Sequence, residues 1–461
     1  MKPYAVPIVL VLLLVLGLDS RGAAPALEAG LAVRDITPDQ PIFLAGYASR
    51  RKPSESVDSP LKVQALALRS IGGEPFVFVA LDNCEVSRAF MDPVYSRLEK
   101  DHGLKRGSVM VVSSHTHSAP VLENTLEVMA IMPEKDREVV RQYSARLREE
   151  LVTVTVAAVK DLQPAQLEHG VGRTTFAMNR RIYRAEGVNF GENPDGPVDW
   201  DVPVLRITGT NGVLRGIVFG YACHGTSVQG EGFFAVNGDY MAYARQHLET
   251  HYPGATALYL TGMGADINPS PRGSIMDAKR HGVELAGAAI SVLNRPMRPV
   301  AGEVRQAYRE VELAFSPAPD RAGIEADAKS DDQFIRRRAE MFLKKLDAGQ
   351  PLPTGVSLPM SAVRIGDDLT FLSMAGEVVV DYSRALKRLH AAAHPWTIGY
   401  AYEVPCYIPN IRILKEGGYE AQSSLIYYGF YGPFKTEIEP KIFEAMRELV
   451  KESRNEPNHE Q

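Results

Sequence analysis

The chain has 461 residues, 45% of them hydrophobic and 23% charged, the balance of a globular protein rather than a disordered one. Its 51 Lys and Arg against 56 Asp and Glu leave a net charge of −5, which excludes a basic nucleic-acid binder and leaves no polybasic patch for anionic lipid. A mean hydropathy of −0.14 with a single long apolar run excludes a multi-span membrane protein.

That run lies at the N-terminus. Lys2 precedes the apolar residues 5–18, and the small-residue stretch Gly22-Ala-Ala-Pro-Ala26 follows. A basic start, a short apolar core and an Ala24-x-Ala26 cleavage site form a secretory signal over residues 1–26. An uncleaved anchor is the rival reading, although the run is short for a span. The expected location is therefore secreted or periplasmic, with no stable transmembrane span after cleavage. The three cysteines, Cys84, Cys223 and Cys406, are scattered and odd in number, so no disulfide framework is expected.

In chain order, residues 76–81 form a short apolar strand. Phe90, Met91, Val94, Tyr95 and Leu98 recur at helical spacing up to a C-capping Gly103, and residues 109–112 form the next strand. This strand–helix–strand unit predicts a parallel pair. A long helix is expected from Pro133 to about Ala158. Further strands fit 204–207, 216–221, 257–260 and 369–373, and helices fit 240–250, 276–293, 333–346 and 378–390. Residues 316–332 read as a long surface loop, and 446–461 as a polar tail. The fold class is α/β with mixed α+β character, a layered sheet-and-helix catalytic domain over residues 27–445.

Three polar segments sit at strand exits: Ser114-His-Thr-His117, Ala222-Cys-His224 and Ala375-Gly-Glu377. Sites in sheets of this class gather beyond the carboxyl ends of strands. In an extended segment His115 and His117 leave the same face, so both rings can reach one ion. His224 adds a third nitrogen and Glu377 an oxygen, the donor set of an open catalytic zinc site. Iron, manganese and nickel are less diagnostic alternatives. Each of these histidines taken singly also reads as a hydrogen-bonded structural residue. His102, His247, His251, His390 and His394 fall on predicted helices or their ends and read as solvated. Asp82, at its strand end, reads either as a residue orienting a histidine N–H or as a solvated loop acid.

Ser114-His-Thr-His-Ser-Ala-Pro120 and Ala222-Cys-His-Gly-Thr-Ser227 resemble the HTHSGP and ACHGT segments of the neutral/alkaline non-lysosomal ceramidases. Asp35-Ile-Thr-Pro38, Ala45-Gly-Tyr-Ala48, Asn179-Arg180, Gly238-Asp-Tyr240, Ala375-Gly-Glu377 and Tyr407 with Tyr419-Glu420 follow in that family's order. The similarity is to the family's N-terminal catalytic domain and spans about residues 30–435. It implies a zinc-dependent amidohydrolase with one zinc ion per chain, held by His115, His117, His224, Glu377 and Tyr407. Arg180 and Tyr419 match residues that line the site and orient the polar atoms of the substrate. The implied nucleophile is a zinc-activated water attacking an N-acyl amide carbonyl. Asp266 and Asp239 are candidates for carrying its proton.

One segment departs from the pattern. The family's GDVSPN supplies a serine where this chain has Gly264-Ala-Asp-Ile-Asn-Pro-Ser270, so that Asn268 stands in its place. Asn268 can donate to a developing oxyanion, or belong merely to a turn before Pro269. The expected partner is a small-molecule N-acyl substrate, a lipid among the candidates, and no nucleic acid. Two alternatives stand beside this reading: the same metal fold acting on an N-acyl sugar, ester or lactone, and a catalytically inactive secreted binding protein.

Overall fold

A computed structural model describes residues 27–454. The expected signal over 1–26 and the last residues of the expected tail lie outside them. Among the described residues no helix is long and apolar enough to cross a membrane.

The core is a nine-stranded mixed sheet. Its strands run Thr256–Thr261, Leu214–Tyr221, Asp201–Gly209, Gln163–Arg173, Leu27–Asp35, Lys62–Ser70, Phe76–Leu81 and Val109–Ser113, with Arg298–Val300 paired to Gln163–Arg173. The interior pairs are antiparallel, whereas the pair at each end is parallel. The Phe76–Leu81 and Val109–Ser113 strands are buried along their whole length, as strands covered on both faces must be. The helices Arg88–His102 and Glu134–Lys160 accompany this end of the sheet, and Asp239–His251 and Ile275–Leu293 the other.

The two ends of the sheet meet. Thr261 Oγ1 donates to the Ser113 carbonyl at 2.6 Å, and Gln64 Nε2 to the Ala257 carbonyl at 2.6 Å. This coiling is the sheet's twist carried almost to closure. It brings the exit of Val109–Ser113, which leads to His115, beside the exit of Leu214–Tyr221, which leads to His224.

A second sheet, Val304–Ala314, Gly355–Ile365, Leu369–Met374 and Pro395–Ile398, packs against the helix Ile438–Ser453. Its strand Leu369–Met374 exits toward Glu377. The layered mixed architecture is thus the expected one. Two boundaries differ from expectation. The polar tail expected from 446 is the end of the Ile438–Ser453 helix, which buries Met446, Leu449 and Val450 against the second sheet's core. Its apolar spacing continues past the point where charged residues dominate the composition. The loop expected over 316–332 contains the helix Arg321–Asp327, capped by the Asp320 side chain on the Gly323 N–H at 2.9 Å.

Asp82 matches neither of its expected roles. It is buried, and its carboxylate receives Arg245 Nη1 at 2.6 Å and Nη2 at 2.5 Å. The pair ties the end of strand Phe76–Leu81 to helix Asp239–His251.

The helix Ile275–Leu293 starts on a capping box: Asp277 N–H donates to Ser274 Oγ at 3.2 Å and Ser274 N–H to Asp277 Oδ2 at 3.1 Å. Ser274→Ala is expected to cost about 0.5–2 kcal/mol of unfolding free energy, read by denaturant titration. A variant as stable as the parent would show that the helix start is held by its tertiary contacts alone.

Candidate metal centre

Four chain segments converge on one buried point. His115 and His117 follow the Val109–Ser113 strand, and His224 follows Leu214–Tyr221. Glu377 and Tyr407 lie directly opposite each other in the short parallel pair Glu377–Val378 and Tyr407–Ile408. His115 has a φ of 60°, in the left-handed region. The expectation that strand alternation aims both imidazoles at one point is therefore corrected. The strand has already ended at Ser113, and the turn at His115 brings the rings together.

The rings sit with His115 Nε2 3.2 Å from His117 Nε2. Glu377 Oε2 lies 3.1 Å from His115 Nε2 and 3.2 Å from His224 Nε2. Tyr407 Oη is 3.3 Å from His224 Nε2. The tautomers follow from the other ring nitrogens. His115 Nδ1 lies 2.9 Å from the Cys84 carbonyl and His224 Nδ1 3.1 Å from the Gly264 carbonyl. A carbonyl only accepts, so each Nδ1 carries the proton and each Nε2 presents a lone pair. Burial lowers the His224 pKa to about 3 and holds His117 well below the usual imidazole value, so both rings are neutral at pH 7. Glu377 Oε2 receives no hydrogen bond. With Nδ1 protonated, His115 and His224 thus turn their Nε2 atoms toward Glu377 Oε2, beside His117 Nε2. Such a set is stable around a cation, and its nitrogen and oxygen donors fit a borderline metal such as zinc.

Further side chains brace the set. Tyr428, for which no sequence motif gave a signal, donates its hydroxyl to Glu377 Oε1 and lies 3.1 Å from Glu85 Oε2. One phenol proton cannot serve two carboxylates. Burial and the Glu377 charge push Glu85 well above the usual carboxyl range, so Glu85 keeps its own proton. Gly46 lies against His117: a Cβ there would sit 2.4 Å from the ring, and its φ of 89° suits glycine. Arg50, buried among carbonyls, holds the His117 carbonyl at 2.5 Å.

Arg180 is the central cation. It pairs with Glu420 at 2.8 Å and donates to Tyr407 Oη at 3.1 Å, and its Nη1 lies 3.2 Å from His224 Nε2. Tyr419 packs edge-on to the Tyr407 ring at 5.2 Å. Asn268 lies in the strand Ile267–Pro269, paired with Met178, and is therefore not a turn residue. Its Oδ1 is 3.3 Å from Arg180 Nη1 and 3.3 Å from Thr226 Oγ1. His117, Arg180, Asn268, Tyr407 and Tyr419 all line one cavity of about 310 Å3. The five expected ligands, with Arg180, Tyr419 and Asn268, therefore gather here. Asp239 and Asp266 do not line the cavity. Asp239 accepts the Ser227 and Val228 N–H groups, and Asp266 accepts Val380 N–H and Asn179 Nδ2. Both acids anchor loops.

The family model described as neutral/alkaline non-lysosomal ceramidase, N-terminal, matches residues 27–269. The crystal structure of neutral ceramidase from Pseudomonas aeruginosa is 19% identical, covering 94% of this chain and 75% of that one, with a TM-score of 0.69. A ceramidase complexed with C2 gives 19% identity, coverage of 94% and 76%, and a TM-score of 0.69. No curated protein matches the sequence. With more than half of its residues matched by that family model and the same fold across nearly all of its length, the chain belongs to the neutral/alkaline non-lysosomal ceramidase family.

Proposed function

We propose that the chain is a secreted zinc-dependent amidohydrolase that cleaves an N-acyl amide bond. The observation that carries this reading is the convergence of His115, His117 and His224 Nε2 with Glu377 Oε2, each at hydrogen-bond distance from a neighbour in the set. These four and Tyr407 would hold zinc, which when bound would supply Lewis acidity and a water acidic enough to attack an amide at neutral pH.

The chain's own groups do the rest. Burial and the Glu377 charge push the Tyr407 phenol well above its usual value, and Arg180, donating to Tyr407 Oη, offsets part of that rise. Arg180 and Asn268, with Tyr419 beside them, line the wall where a carbonyl oxygen gains charge, and preorganised donors stabilise that charge. Tyr428 occupies Glu377 Oε1 and leaves Oε2 free to coordinate. Secretion rests on the charge and apolar pattern of residues 1–26.

The test is metal analysis of the purified protein together with a screen of N-acyl amides. About one zinc per chain and chelator-sensitive hydrolysis are expected. Full turnover after exhaustive chelation would sink the mechanism. Tyr428→Phe removes the hydroxyl that holds Glu377, and outer partners of ligands are worth about 10–100-fold in metal affinity. Competition against a zinc-binding dye is expected to show a loss of that size, and unchanged affinity would remove Tyr428 from the site.

A further inference from the structure

The cavity over the metal centre is lined by two arginines and by no acidic residue. Arg180 is neutralised by Glu420. Arg272 is not: it forms no ion pair among the described residues, although it is partly buried at the wall. Glu192 acts on it only at longer range, and Ser270 Oγ already donates to Glu192 at 2.7 Å. Burial and the nearby Arg180 both oppose the Arg272 charge.

The neutral groups around Arg272 do not offset it. Its Nη1 lies 3.4 Å from Thr226 Oγ1. Turning the Asn268 amide by half a turn sets its oxygen 3.2 Å from both terminal nitrogens of Arg272. Asn268 is thus an uncharged spacer between Arg272 and Arg180, and Arg180 itself reaches His224. A guanidinium is a planar fork that matches a carboxylate with two parallel hydrogen bonds. On the other side, Tyr47, Met129, Phe190 and Tyr427 give the same cavity of about 310 Å3 an apolar wall.

We propose that Arg272 is a specificity-determining residue that receives a carboxylate on the substrate, so that the class of substrate is an N-acyl amino acid with its acyl chain along the Tyr47, Met129, Phe190 and Tyr427 wall. This rests on the amidohydrolase reading above. Hydrolysis breaks the amide C–N bond. The water oxygen joins the acyl carbon and a proton goes to the nitrogen, releasing a fatty acid and a free amino acid.

N-lauroylglycine and N-lauroylethanolamine differ only in a carboxylate against a hydroxymethyl group. With the zinc-loaded protein, kcat/KM is expected to favour the glycine conjugate by about 10–100-fold, the worth of one charge-assisted contact. Arg272→Gln is expected to remove most of that preference, chiefly through KM, and Arg272→Lys to restore part of it. A purely structural role would lower both substrates together and leave the ratio unchanged, which overturns the proposal, as does a parent enzyme without preference. Stimulation of the neutral amide by free sulfate would mark Arg272 as a site for a separate anion and overturns it too. If neither amide is cleaved, the hydrolase reading fails, and calorimetric binding of N-lauroylglycine then decides the anion site by itself. Weaker binding to Arg272→Gln sustains it, and equal binding ends it.

Discussion

Glu377→Gln is expected to empty the metal centre and to cut amide hydrolysis by about a thousandfold or more, because the ion's stabilisation of developing charge is worth several kcal/mol. The fold should survive. In the metal-free protein, Glu377 Oε2 faces His115 and His224 lone pairs at 3.1 and 3.2 Å. A glutamine amide there can donate N–H to an imidazole nitrogen, while its oxygen keeps the Tyr428 hydroxyl bond. Metal-free stability should therefore match or exceed that of the parent, and the increase in melting temperature on adding zinc should vanish. His115→Ala should also lose metal and turnover, but leaves a cavity beside Tyr400, whose ring lies 4.5 Å from that of His115. Atomic absorption, turnover and thermal unfolding read the three effects separately. A glutamine variant that keeps stoichiometric zinc and its activity would show that the ion, if present, lies elsewhere.

The parts of this site that were legible in the sequence are those that local pattern encodes. Each ligand-bearing segment follows a short apolar run, and such runs read as buried strands. Hence His115, His117, His224 and Glu377 could be grouped from spacing, while Tyr407, Tyr419 and Arg180 entered only through the resemblance. Two things were not legible. One was closure: that the sheet coils until Thr261 reaches Ser113 depends on twist summed over eight strands, which no window of sequence reports. The other was the bracing. Cys84 and Gly264 act through backbone carbonyls, so their side chains carry no signal. Tyr428 and Glu85 are remote from each other in sequence and belong to no motif. Long antiparallel strands such as Val304–Ala314 also escaped notice, because half-exposed, charge-rich alternation resembles a surface segment.

Asn268→Ala is expected to lower kcat by about a hundredfold or more, the usual cost of about 2.7–4 kcal/mol for one donor to a developing oxyanion. The structure sharpens this expectation beyond the choice between donor and turn. Asn268 is held in a strand by pairing with Met178, and its amide touches Arg180, Thr226 and, when turned, Arg272. Alanine removes the donor and also brings the two guanidiniums into view of each other across an empty gap, so substrate affinity should fall with turnover. Serine keeps a hydroxyl but has no carbonyl for Arg272. Asn268→Ser should therefore retain more turnover than alanine and gain on neutral long-chain N-acyl sphingoid bases, because the polar spacer has shortened. Aspartate separates the roles. It is nearly the same size, but it sets a carboxylate between Arg180 and Arg272 and occupies the charge that an anionic substrate needs. Asn268→Asp should lose the preference for an N-acyl amino acid over its neutral analogue, even where some hydrolysis of the neutral amide persists. If the aspartate variant keeps that preference, Arg272 does not receive the carboxylate. If the alanine variant turns over like the parent, Asn268 contributes only its backbone to the pocket wall.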